Sequence, residues 1–183
     1  TANEEQTLEI HLDRTEAVIL QMAKALCLDS NLTEVFRLAA RFHDLGKNRR
    51  IWQRSIGNCD PQTVLAKSNG KGMIQGLSGY RHELGSLIDV QDREEINALS
   101  EEDRELVLHL IATHHGRGRP HFPAAEVFDP ESSEELCRQI ASEVPCRFAR
   151  LQRRFGRWGL AWIESLLRAA DAYASAHPKE ESS

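Results

Sequence analysis

Long hydrophobic runs are missing. No apolar stretch in the 183 residues approaches the roughly 20 needed to cross a bilayer, and no signal-peptide pattern opens the chain. Paired cysteines are missing too. Cys27, Cys59, Cys137 and Cys146 stand apart without a C-x-x-C spacing, which argues against a zinc knuckle or a disulfide framework and for free thiols in a reducing cytoplasm. There is no excess of positive charge: at a net charge of −5 a broad duplex-gripping surface is unexpected, although a narrow basic channel is compatible with it. A nucleotide-binding loop is also absent. Ser68-Asn69-Gly70-Lys71-Gly72 lacks Ser or Thr after its lysine, and no strand precedes it. Neither internal repeats nor sustained strand alternation can be found. A chain of this length, 40 % apolar and 28 % charged, is expected to form one all-α domain over residues 1–183. Starting at Thr1, it is expected to be processed or cut from a longer protein.

Helical periodicity is what the sequence does contain. Leu8, Leu12, Val18, Ile19, Met22 and Leu26 predict a helix over residues 4–27. A second, over 31–44, carries Leu32, Val35, Phe36, Ala39 and Phe42, and Gly46 is placed to end it in a left-handed turn. Shorter helices are expected over 48–56, from Arg81, from a capped start at Ser100, and over 132–142. The last runs over 146–176 with a bend at Gly156 to Gly159. Loops near 57–80 (Gly57, Gly70, Gly72, Gly76, Gly79) and 116–130 read as mobile, and residues 1–5 and 178–183 as frayed.

The eight histidines are the compositional oddity. The second helix's apolar stripe continues into His43, with Asp44 beside it. Val107, Leu110 and Ile111 lead to His114 and His115, and Leu160, Ile163 and Leu167 to Asp171. His11 sits among Leu8, Leu12 and Thr15, and His82 heads a helix above the small residues Gly85 and Ser86. A single such histidine is ordinarily a hydrogen-bonded core residue. Seven ionisable groups aimed into one core are different, since each left unpaired costs several kcal/mol against a total stability of about 5–15 kcal/mol. Bound cations are the economical compensation. Five imidazoles and two carboxylates are too many for one tetrahedral ion and suit two octahedral ones. Neighbours on a helix differ by about 100°, so Asp44 can bridge while His43 serves one ion. Without thiolates, the set suits iron, manganese, cobalt or nickel rather than structural zinc. His109, His121 and His177 fall off these stripes and read as non-ligands, His121 remaining open.

His43-Asp44-Leu45-Gly46-Lys47 resembles the signature of the HD superfamily of metal-dependent phosphohydrolases. More narrowly, the chain resembles the HD nuclease domain of the CRISPR type I nuclease–helicase. The likeness rests on His11, the HDLGK run, Trp52-Gln53, Arg81-His82-Glu83 with Ser86, His114-His115-Gly116 followed by Arg119-Pro120, Phe155-Gly156-Arg157-Trp158-Gly159-Leu160-Ala161, and Ala170-Asp171-Ala172 with Ser175. These blocks come in family order over residues 11–175. The resemblance implies a compact helical bundle with a dinuclear metal site in its core, liganded by His11, His43, Asp44, His82, His114, His115 and Asp171. It also implies a cytoplasmic nuclease cutting single-stranded DNA in CRISPR interference, partnered by a helicase domain or subunit and an effector complex. With no nucleotide-binding loop, the chain is expected to be a stand-alone nuclease or an excised domain.

In the mechanism so implied, two divalent ions activate water and share the charge on the phosphoryl oxygens. Lys47, at the end of the signature, is expected to add a cation there; its plainer role is to complement a helix C-terminus. For substrate, Arg117, Arg119, Arg150 and Arg153 are candidates. The last two belong to a basic run with Arg147, Arg154 and Arg157, which reads equally well as a solvated or helicase-docking face, and Lys67 and Lys71 come from the loop. Trp158 and Trp162 are expected in the core. Two rival readings are an HD phosphohydrolase for nucleotides or cyclic nucleotides and a degenerate interaction module. Gly79-Tyr80-Arg81 lacks the proline of the cyclic-dinucleotide branch, and no ligand is lost as degeneration would require.

Overall fold

The computed structural model describes residues 5–68 and 79–177. Helix α1 (Leu8–Ala25) starts where Thr7 accepts the Ile10 amide on its hydroxyl, and it buries Leu8, His11, Leu12, Thr15, Ile19 and Ala23. Gln6–Thr7, predicted helical, instead forms strand β1, antiparallel to β2 (Leu65–Lys67). Gln53 fixes β2 by donating to the Leu65 carbonyl at 2.9 Å and accepting its amide at 3.0 Å. This pair is the small β addition to an otherwise all-α fold.

Helix α2 (Ser30–Phe42) is capped by Asp29, which accepts the Leu32 amide at 2.8 Å. It gives way at His43-Asp44 to a 3-10 turn, Leu45–Asn48. Gly46 does not have the expected left-handed φ. Its glycine is required by close approach: a Cβ there would overlap the His82 carbonyl and lie 2.8 Å from the Ser86 nitrogen of α4 (His82–Asp89). The approach is tied by Gly46 N–H donating to Ser86 Oγ at 2.9 Å and by the Tyr80 hydroxyl donating to the Gly46 carbonyl at 2.6 Å. Gly85 and Ser86 do admit a neighbour as their size suggested, the 3-10 turn rather than a helix.

Helix α3 (Arg50–Ser55) follows the turn, and α5 (Glu94–Asn97), which has too short a pattern to register in the sequence, precedes α6 (Glu101–Thr113). Ser100 caps α6 by accepting the Asp103 amide at 3.1 Å. The predicted helices over 132–142 and 146–176 are one, α7 (Glu134–Ala176), which runs through Pro145 and kinks at Gly156 (φ 70°, ψ 172°). Cys137, Ile140 and Val144 before the proline, and Leu151 after it, are buried on one side, and this shared burial carries the helix through. Segment 116–130, expected as a mobile loop, holds a 3-10 turn at Ala124–Glu126 and two anchors: Arg81 pairs with Glu126, and Arg49 with Asp129 and Asp89. Gly70, Gly72, Gly76 and Lys71 lie outside the described residues, as do the ends expected to be frayed, except Glu5.

The core is the meeting of α1, α2, α4, α6 and α7 around Ile19, Phe36, Leu84, Leu87, Ile111, Leu160 and Leu167. No helix among the described residues is long and apolar enough to cross a membrane. The contact of the 3-10 turn with α4 makes one stability prediction. Gly46→Ala inserts a Cβ into backbone and is expected to cost at least about 1–3 kcal/mol. Gly116→Ala, whose Cβ meets nothing within 4 Å but whose φ is +79°, is expected to cost about 1–2 kcal/mol of backbone strain only. Urea unfolding midpoints should rank wild type above Gly116→Ala and Gly46→Ala lowest.

Candidate metal centre

Five helices deliver the site. His11 comes from the second turn of α1, His43 and Asp44 from the end of α2, His82 from the first position of α4, His114 and His115 from the end of α6, and Asp171 from the last third of α7. Two of these deliveries are alike: a buried helix stops just as its stripe reaches a histidine, and the next residue, free of helical direction, supplies a second group. All but His115 are buried, Asp44 completely.

The seven residues form two groups sharing Asp44. Candidate ligand atoms of His11, His43, Asp44 and Asp171 lie within 4.8 Å of one another, as do those of Asp44, His82, His114 and His115. The two carboxylate oxygens of Asp44 divide between them. Oδ2 is 3.1 Å from His11 Nε2 and 3.5 Å from His43 Nε2, whereas Oδ1 is 3.2 Å from His82 Nε2 and 3.4 Å from His114 Nε2. Asp171 Oδ1 completes the first group, 3.2 Å from His11 Nε2 and 3.8 Å from His43 Nε2.

The imidazoles are aimed. His43 Nδ1 is 2.7 Å from the Ala40 carbonyl and His114 Nδ1 is 2.8 Å from the Ile111 carbonyl. A carbonyl can only accept, so Nδ1 carries a proton in each ring, and Nε2 is the nitrogen turned inward, its lone pair open to a cation in the neutral ring. His82 Nε2 and His114 Nε2 stand 3.2 Å apart. Both ring nitrogens of His11, Nε2 of His43 and Oδ1 of Asp44 are buried without a well-formed hydrogen bond. Lone pairs converging on shared points, with buried polar atoms left over, are what a pair of cations would satisfy, so the residues present fit divalent ions.

Titration behaviour points the same way. Burial alone would raise the Asp44 carboxyl, but Lys47 and His43, with His11 and His114, hold it well below its ordinary value. Burial would likewise raise Asp171, and His11 and His43 bring it down instead. His11 is lowered by burial and raised more by Asp171 and Asp44, a net upward shift, and His114 is raised over its burial by Asp44. For His82 burial prevails and the shift is downward. The carboxylates thus draw positive charge, and His11 and His114 are the rings pulled toward it.

Lys47 is buried with its Nζ 2.5 Å from Asp44 Oδ2 and 5.4 Å from the Trp52 ring centroid. It is therefore neither a solvated helix-end charge nor free of the ligand set. The Trp52 ring meets the His82 ring edge at 4.8 Å between centroids. Glu83, not among the candidate site residues, is buried, and its unpartnered Oε2 lies 3.6 Å from His82 Nδ1. The signal was available: an acid directly after the histidine that opens a buried helix. His109 is fully buried outside both groups, 2.8 Å from Glu164 Oε1; His121 and His177 also lie outside them.

The arginine candidates separate. Arg117 is more than half exposed, 3.9 Å from Glu126. Arg119 donates to Glu164 at 3.0 Å and lies over the Phe148 ring. Arg150 is engaged by both oxygens of Glu105, Arg154 pairs with Glu102, and Arg147 is buried beside Glu105, while Arg153 is exposed with no ion pair among the described residues. The run is thus not a free basic face. No acid falls within the run itself, but Glu143 earlier on the same helix lies 3.8 Å from Arg150, and α6 supplies Glu102 and Glu105. Lys67 reaches the Ser175 carbonyl at 3.5 Å. Trp158, 88 % exposed, and Trp162, 44 %, are not in the core. After the kink, Leu160, Ile163 and Leu167 take the inward face, and both indoles fall on the opposite side.

The family model described as "Cas3, HD domain" matches residues 6–180. No curated protein and no solved structure matches the chain. The shared carboxylate generates a prediction that depends on no substrate. After loading with manganese and desalting, elemental analysis should show Asp44→Ala losing more metal than His11→Ala or His115→Ala, each of which touches one group. Equal losses in all three would mean that Asp44 is not shared.

Proposed function

We propose, because the chain belongs to the Cas3 HD-domain family, that it hydrolyses phosphodiester bonds of single-stranded DNA in CRISPR interference, using two divalent transition-metal ions. Membership of the family implies metal-dependent phosphohydrolase or nuclease chemistry and a role in a CRISPR system. The observation carrying the finer reading is the division of Asp44's oxygens between two sets of buried imidazoles, which suits two ions with one bridging carboxylate. Manganese, cobalt, nickel or iron fit the nitrogen and oxygen donors.

His11, His43, Asp44 and Asp171 would hold one ion and Asp44, His82, His114 and His115 the other. Bound there, the ions would supply Lewis acidity toward a phosphodiester and activate water near neutral pH. The chain's own groups orient and balance them. The carbonyls of Ala40 and Ile111 fix two imidazoles, and Trp52 packs edge-on against His82. Lys47 offsets part of the aspartate charge and sits where it could meet a phosphoryl oxygen once an ion takes its place on Oδ2. His115 is the exposed member, so the open side lies there, and Arg117 and Arg119, which follow it in sequence, are the proposed phosphate contacts, with Arg153 farther away. Arg150, held by Glu105, is the weakest of the four candidates. On this reading residues 1–183 act as one cytoplasmic nuclease domain, with unwinding supplied by a helicase domain or subunit and recruitment by an effector complex.

The test is incubation with circular single-stranded DNA in manganese, cobalt, nickel, iron, magnesium or chelator, beside a panel of nucleotides and cyclic nucleotides. Linear product with a transition metal, lost with chelator and in Asp44→Ala, is expected. Hydrolysis of nucleotides with the circle intact would replace this reading with the nucleotide-directed one. Inertness toward every substrate, with no metal retained, would leave an interaction module.

A further inference from the structure

Among the buried histidines of the centre, His11 and His82 lack the backbone carbonyl that holds the other two, and His82 alone has a carboxylate beside its Nδ1. His43 and His114 each lie at a helix C-terminus, where the carbonyl three residues back, Ala40 or Ile111, receives Nδ1–H. His82 is the first residue of α4, so the residue three back is Gly79, outside the helix with φ +98°. No helical carbonyl can serve it. The nearest acceptor recorded at its Nδ1 is the carboxylate of the next residue, Glu83, with Oε2 at 3.6 Å. That oxygen is buried and has no other hydrogen-bond partner, and Glu83 is 1 % exposed. A buried carboxylate oxygen left without a hydrogen-bond partner beside a ligand histidine is costly unless its charge is used.

The two groups also differ in charge. The His11 group has Asp171 as well as its share of Asp44, whereas the His82 group has Asp44 alone. Glu83 supplies the missing negative charge from just behind the ligand.

We infer that Glu83 is a positioning residue that orients His82 through Nδ1 and balances the charge of the His82 group, so that this group binds a divalent ion about as well as its neighbour. The inference rests on the two-ion reading given above. Glu83 touches no substrate. It acts through His82 on one ion of the pair, which a merely structural acid would not do.

The experiment is a calorimetric titration of the chelator-treated protein with Mn2+, in wild type, Glu83→Gln and Glu83→Ala, and in a His115→Ala background with and without Glu83→Ala. Two equivalents are expected in wild type, with one of them weakened about 10–100-fold in the Glu83 variants and the other little changed. Glu83→Gln, close to isosteric, carries the test if Glu83→Ala fails to fold. In the His115→Ala background, where the same equivalent is already impaired, loss of Glu83 should leave the remaining equivalent unmoved. A single wild-type equivalent, equal weakening of both, or no change in either would overturn the inference. The outcomes separate it from the nuclease reading. A wild type that binds two ions and leaves circular DNA intact removes that reading and keeps Glu83, whereas cleavage with titrations indifferent to Glu83 removes Glu83 and keeps the reading.

Discussion

One carboxylate, Asp44, is sealed from water in the middle of five helices, and the rest of the centre answers to that burial. Taking an ionised carboxylate out of water costs several kcal/mol, repaid only by positive charge and well-placed donors. Lys47 contacts one of its oxygens, four imidazoles lie within 3.5 Å of one or the other, and the backbone carbonyls at Ala40 and Ile111 set how two of those imidazoles turn. The buried atoms left without a partner, both ring nitrogens of His11, Nε2 of His43 and Oδ1 of Asp44, are what a bound cation would satisfy.

Because the candidate ligands come from α1, α2, α4, α6 and α7, the centre is also where the fold closes. Helix α4 is held to the 3-10 turn after α2 by the Gly46 contact, and to the 124–129 segment through Arg81 and through Arg49, which pairs with both Asp89 and Asp129. Ions bound by so many elements would stabilise the folded state alone, so their affinity and the stability of the bundle would be linked. The same geometry explains why α7 is long. Its first half grips α6 through Arg150 and Arg154, and its second, redirected at Gly156, carries Asp171 inward.

Much of this was legible in residues. Apolar stripes ending in His43, His114 and Asp171 marked the helices and which of their faces point inward, because burial imposes the helical period whatever the final packing. What one sequence could not show lay in contacts between helices. Gly46 looks like a helix stop because glycine serves left-handed turns and close approaches alike, and only the position of His82 decides between them. Arg150 looks free because Glu105 is 45 residues away. Trp158 looks like core because tryptophan is usually covered, and only the direction after the kink turns it outward. Pro145 misled in the opposite sense, since the burial of Val144 and Leu151 carries the helix through it. Glu83 lay unread beside His82 because its meaning depends on the carbonyl that His82 lacks.

The exposure of His115 gives the centre a direction. One group has all four members buried and the other has a single member at the surface. Were the centre to hold two ions as proposed, the one beside His115 would be the more open to solvent. A chelator would then act on it as a queue, drawing the outer occupant first and the inner one more slowly.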